Sequence, residues 1–139
     1  MIVDCFLDTN VLVYAALGRF SEPSKYERAR LVIAETNVGL SGQVLQEFYV
    51  NVTRKSDKPF KPDQALAWLD ALTDLPCAAI DRELVVEAAR IADRFKISYW
   101  DSALVAAATR MSAPVLYTED LNDGQHYGSV RVVNPFRQN

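Results

Sequence analysis

Short apolar runs recur along the chain at spacings that leave room for helices between them. Ile2–Leu7, Val38–Leu40, Cys77–Ile80, Val115–Thr118 and Val130–Val133 read as short buried strands. The stretches between them carry helix signals. Val11–Leu17 reads as a short helix closed by Gly18. Ser24 caps a helix through Thr36, with Tyr26, Ala29, Val32 and Ile33 at helical spacing. Ser41 caps a helix carrying Val44, Leu45, Phe48 and Val52, and Asp63 caps Gln64 to Thr73. Asp81 caps a helix to about Phe95, and Ser98 opens the last, from Trp100 to about Met111. Strand–helix alternation of this kind gives an α/β domain with a largely parallel central sheet. Parallel strands need crossover helices and are covered on both faces, so the architecture expected is a three-layer sandwich.

The length of 139 residues fits one domain spanning 1–139. A net charge of −3 excludes a generally basic nucleic-acid protein but leaves room for a local basic patch. No apolar run approaches the roughly 18–20 residues that cross a membrane. No basic start leads into an apolar secretory segment, so a cytoplasmic protein without a membrane partner is expected. Cys5 and Cys77 both fall in apolar runs and are expected as buried, reduced thiols. His126 is the single histidine and reads as a surface loop residue, too isolated for a zinc site.

Asp8 ends the first apolar run, in LDTNVLVYA, and Asp120 follows a later one, in PVLYTED. Carboxylates just past parallel strands stand in the ligand crevice of an open α/β sheet. Asp8 also suits a helix N-cap, but a cap alone accounts poorly for the Asp-Thr-Asn run. Glu47 borders the apolar face of its helix, three residues past Val44. Asp101 has a competing role, because Ser98 to Asp101 matches a capping box. Asp123 is three residues from Asp120 and would share its cavity if the segment turns. Such a group of acids is costly unless it holds a cation. An all-oxygen donor set suits Mg²⁺ or Mn²⁺.

In combination these segments resemble the PIN-domain family, and within it the VapC-like toxins of toxin–antitoxin pairs. The resemblance runs through VDCFLDTNVLVYA, SGQVLQEFY, SYWDSALVAAA and VLYTEDLNDG, almost the whole chain in the expected order. It carries the family's four acids onto Asp8, Glu47, Asp101 and Asp120, its polar residue of the last motif onto Thr118, and its DTN triplet onto Asn10. It implies a divalent-metal-dependent endoribonuclease, a homodimer and a small antitoxin partner. Asp8, Glu47, Asp101 and Asp120 would then be metal ligands, with Asn10, Thr118 and Asp123 orienting them or their waters.

An acidic pocket repels RNA, so the backbone must be held elsewhere. Arg54, Lys55, Lys58 and Lys61 place four of the fifteen basic residues in one loop, near Tyr49 and Phe60 as candidate stacking rings. Arg19 and Lys25 flank the first acidic motif and are weaker candidates. A solvated loop explains the same charges. Two other readings compete. A HAD-like phosphohydrolase also begins with Asp after the first strand, but its second Asp is replaced here by Asn10. A non-catalytic RNA- or protein-binding module would keep the fold without the chemistry.

Overall fold

The computed structural model of the protein describes residues 2–137. Six strands form one sheet: β1 (Cys5–Leu7), β2 (Val38–Ser41), β3 (Cys77–Ala78), β4 (Val115–Tyr117), β5 (His126–Tyr127) and β6 (Val130–Val133). Their order is β3-β2-β1-β4-β6-β5. All neighbours are parallel except β5 and β6. The α-helices are α1 (Thr9–Ser21), α2 (Pro23–Glu35), α3 (Gly42–Val50), α4 (Pro62–Ala71), α5 (Arg82–Phe95) and α6 (Tyr99–Arg110), and they cover both faces of the sheet. The α/β sandwich expected from the alternation is therefore the fold observed. Among the described residues no helix is long and apolar enough to cross a membrane.

Two-sided cover explains why β1 and β2 are buried along their whole length. Phe6, Leu7, Leu12, Leu40 and Leu116 form the centre of the core, each almost wholly excluded from solvent. Leu7 lies opposite Tyr117 in the β1–β4 register. The residues that follow them, Asp8 and Thr118, thus leave the sheet side by side.

Several local expectations are corrected. Gly18 does not close α1, which continues to Ser21. Gly18 is buried there, and a Cβ would lie 3.3 Å from the Cβ of Tyr26. Glycine is what lets α2 pack this closely, at a modest cost in helix stability. α2 begins at Pro23 rather than after Ser24, because proline's fixed φ suits the first helical turn. α4 begins at Pro62 for the same reason, which leaves Asp63 in the first turn. Cys5 is buried as expected, but Cys77 is exposed, because β3 is an edge strand.

After α3 the chain widens into a π-helical turn, Asn51–Lys55, where the Thr53 hydroxyl donates to the Tyr49 carbonyl at 2.7 Å. Phe48 and Trp68 meet edge-to-face at 5.9 Å in a second apolar cluster. Tyr49 and Phe60 pack against that cluster and are half-buried, so only part of each ring stays open to a partner.

Candidate functional site

The Asp8 backbone N–H donates to the Tyr117 carbonyl at 3.0 Å, continuing the β1–β4 pairing. Its side chain then caps α1, with Oδ1 accepting from Thr9 N–H at 2.6 Å. Oδ2 accepts from the Thr118 hydroxyl at 2.7 Å, and the Thr118 oxygen accepts from Asp120 N–H at 3.1 Å. Thr118 is fully buried and so ties the two acidic positions together through one oxygen. Asp8 is only 7% exposed. Burial pushes its carboxyl up to about 7, and the nearby Asp120 charge pushes the same way, against the bonds from Thr118 and Thr9. The Thr9 hydroxyl is buried without a partner among the described residues. An unpaired hydroxyl of this kind costs about 1–3 kcal/mol, so this turn is not optimised for stability alone.

The other two acids reach the same edge of the sheet by topology. α3 starts directly after β2, and α6 runs back against the strands before β4, so both helix N-termini lie at the carboxyl edge. Gln43 Nε2 donates to the Trp100 carbonyl at 3.3 Å, joining the first turns of α3 and α6. Glu47 is one turn after Gln43 on the same face of α3 and is exposed. At the start of α6 the Ser98 hydroxyl accepts from Asp101 N–H at 3.1 Å. The reciprocal bond of a full capping box is not formed among the described residues, so the Asp101 carboxylate is not spent on the cap. Its charge instead raises the Tyr127 phenol, second to burial.

Asp8, Thr118 and Asp120 are thus in mutual contact, while Glu47 and Asp101 lie on the helices α3 and α6 that start at the same edge of the sheet. Among the described residues no three His, Cys, Asp or Glu side chains close into a metal cage. The donor set still fits a hard divalent ion. A buried carboxylate beside a second one gains from a counter-ion, and every candidate donor is an oxygen.

Asp123 departs from the sequence reading. Its Oδ1 accepts from Asn134 N–H at 2.8 Å and its Oδ2 pairs with Arg137 at 3.1 Å. Both of its oxygens are thus engaged in fastening the C-terminal turn. Asn10 is half-buried in the first turn of α1, and the bonds to Asp8 come from Thr9 and Thr118 instead. Lys25 is also committed, to Glu119 at 3.0 Å, which takes it out of the basic candidates. Glu119 and Tyr14, which bond each other at 2.7 Å, carried no sequence signal, since they are 105 residues apart.

Arg54, Lys55, Lys58 and Lys61 are all exposed. A cavity of about 850 Å³ opens between α1 and the segment after α3, with Leu17, Arg19, Phe20, Lys55 and Lys58 in its lining. Phe20 is 86% exposed beside it. His126 is exposed but sits on strand β5 rather than in a loop.

Among curated proteins, none matches the chain in sequence. Solved structures do match in fold. A toxin–antitoxin complex from Klebsiella pneumoniae aligns with a TM-score of 0.71 at 18% identity, over 94% of this chain and 97% of that one. VapC20 of Mycobacterium tuberculosis, a Sarcin-Ricin loop cleaving toxin, aligns with a TM-score of 0.66 at 18% identity, over 84% and 89%. VapBC2 from Rickettsia felis, bound to a DNA fragment from its promoter, aligns at 0.64 and 22% identity, over 95% and 97%. The PIN domain family model matches residues 5–123, which takes in Asp8, Glu47, Asp101 and Asp120. With its fold, its sheet-edge acids and that match in agreement, the chain belongs to the PIN domain family.

Proposed function

We propose that the protein is a Mg²⁺- or Mn²⁺-dependent endoribonuclease and the toxin of a toxin–antitoxin pair. PIN domain proteins are nucleases, and such nucleases generally need a divalent metal. The observation that carries the reading is Asp8, buried and pushed up to about 7 beside Asp120 and tied to it through Thr118. The HAD-like alternative has no support from the family match.

Asp8 and Asp120 would hold the ion, while Glu47 and Asp101 complete the site directly or through water. Coordination through water suits Mg²⁺, which keeps several of its waters. When bound, the ion supplies an acidified water and a counter-charge for the attacked phosphate. Thr118 fixes the orientation of Asp8, and Ser98 caps α6 so that Asp101 stays free. Attack by water leaves a 5′-phosphate and a 3′-hydroxyl. A small antitoxin is the expected protein partner, by likeness to the toxin–antitoxin complexes above, and a homodimer the assembly that the family resemblance implies. The test is cleavage of RNA with Mg²⁺ or Mn²⁺ and with EDTA, followed by end-group analysis. Cleavage that persists in EDTA, or 2′,3′-cyclic ends, sinks the reading.

The basic loop supplies the RNA track in this proposal, with Lys55 and Lys58 at the mouth of the cavity beside Arg19. Each phosphate contact to single-stranded RNA contributes a slope of about −0.7 in log K against log salt. Replacing Lys55 and Lys58 by Ala together should flatten the slope by about 1.4 at most and leave metal affinity alone. A salt titration on the Asp8→Asn protein, which should hold RNA uncut, measures it. An unchanged slope would make the loop a solvated surface.

A further inference from the structure

Glu119 sits between two site residues, after buried Thr118 and before Asp120. Both of its carboxylate oxygens are engaged by helices. Tyr14 Oη of α1 donates to Oε1 at 2.7 Å, and Lys25 Nζ of α2 donates to Oε2 at 3.0 Å. Lys25 also donates to Tyr14 Oη at 3.3 Å, and its ammonium lies 4.8 Å from the Tyr14 ring and 5.5 Å from that of Phe136. Those rings meet edge-to-face at 5.1 Å. The Lys25 and Glu119 side chains are 31% and 21% exposed, so water screens them less than an open surface pair.

The segment that follows β4 has no helix to stiffen it before β5. It is tied at its start by Thr118 N–H to the Val133 carbonyl at 3.1 Å and at its far end by Gly124 N–H to Val132 at 2.8 Å. Leu121 adds a partial apolar contact with the core. The Glu119 side chain adds a tie to α1 and α2, beside the Thr118 hydroxyl on Asp8 and the Asp123 carboxylate on Asn134 and Arg137. Residues 119–121 form a bend after β4, so pinning the Glu119 side chain on α1 and α2 fixes the backbone from which Asp120 reaches toward Asp8. The pairing with Lys25 also neutralises an acid that would otherwise compete for a cation.

We propose that Glu119, gripped by Tyr14 and Lys25, is a positioning residue that holds Asp120 against Asp8 and keeps itself out of the ligand set. The inference rests on the metal-site reading above. It is tested on the full chain with Mn²⁺ alone as the probe, by calorimetry, and by hydrogen exchange in EDTA. Glu119→Ala should weaken Mn²⁺ binding between about tenfold and a hundredfold. Lys25→Met, whose stem still packs on Tyr14 and Phe136, should weaken it in the same direction. Glu119→Gln, which keeps the acceptor for Tyr14, should recover part of the loss. In EDTA, exchange across residues 119–122 should quicken about tenfold or more in Glu119→Ala, with β4 and β6 unchanged. Parental Mn²⁺ affinity in both Glu119→Ala and Lys25→Met overturns the proposal. If the parent itself binds no Mn²⁺, the metal reading fails, and unchanged exchange across 119–122 would then overturn the clamp as well.

Discussion

Asp8→Asn is expected to abolish metal-dependent RNA cleavage, and to make the EDTA-treated protein more stable than its parent above pH 7 but not near pH 4. The first effect follows from removing the buried charge that would hold the ion. The second follows from linkage. Asp8 has an ordinary carboxyl value of 3.8 when unfolded, and the fold pushes it up to about 7. The folded state therefore binds the proton more tightly. Parent stability from this group is highest below 3.8, declines as pH rises through that window, and levels off above about 7. A tenfold change in proton affinity corresponds to about 1.36 kcal/mol, so the penalty at alkaline pH is on the order of 4 kcal/mol. Asparagine has one acceptor oxygen where Asp8 uses both, for Thr9 and Thr118, and one mismatched bond costs about 1–3 kcal/mol. The net gain is thus on the order of 1–3 kcal/mol at pH 8, and it vanishes or reverses near pH 4. Urea unfolding of both proteins across that range decides the matter. A difference in stability that does not change with pH would mean that Asp8 titrates normally.

Thr118→Val is the second large expectation. Valine fills the same space but offers neither the hydroxyl proton to Asp8 nor the oxygen to Asp120 N–H. Leaving the buried Asp8 oxygen and the part-buried Asp120 N–H without this partner should cost about 1–3 kcal/mol. Loss of the Thr118 bond, which opposes the upward displacement of Asp8, should also raise that carboxyl further. Mn²⁺ affinity should fall by about tenfold to a hundredfold, as when a group that orients a ligand is removed. Calorimetry beside equilibrium unfolding measures both. Thr118→Ser should restore most of each, since it returns the oxygen. If valine leaves metal binding unaltered, Thr118 only fills space.

What the sequence reveals here is set by range. Ser41, Asp81 and Ser98 are legible as caps because each accepts from an N–H three residues on, at Val44, Leu84 and Asp101. The acids at Asp8 and Asp120 are legible because each follows an apolar run that becomes a strand. Strand β5 is not legible, since two residues show no alternation. It exists because Gly128, at φ +64°, turns the chain back and Tyr127 packs on Phe95 at 5.1 Å. The engagement of Lys25 and Asp123 is equally hidden, because their partners are set by tertiary packing. Glu47 is intermediate: its helix is readable, but its orientation depends on Gln43 meeting Trp100.

The two outermost strands are Cys77–Ala78 on one side and His126–Tyr127 on the other, each two residues long. A stray extended chain adding to either border would find too few rungs to gain a foothold, which is how natural sheets avoid stacking edge to edge. The parallel interior is therefore sheltered from fibre-like growth although its strands are strongly apolar. Partners are thereby steered away from strand addition, and exposed rings such as Phe20 and Trp100 stand out on the helices instead.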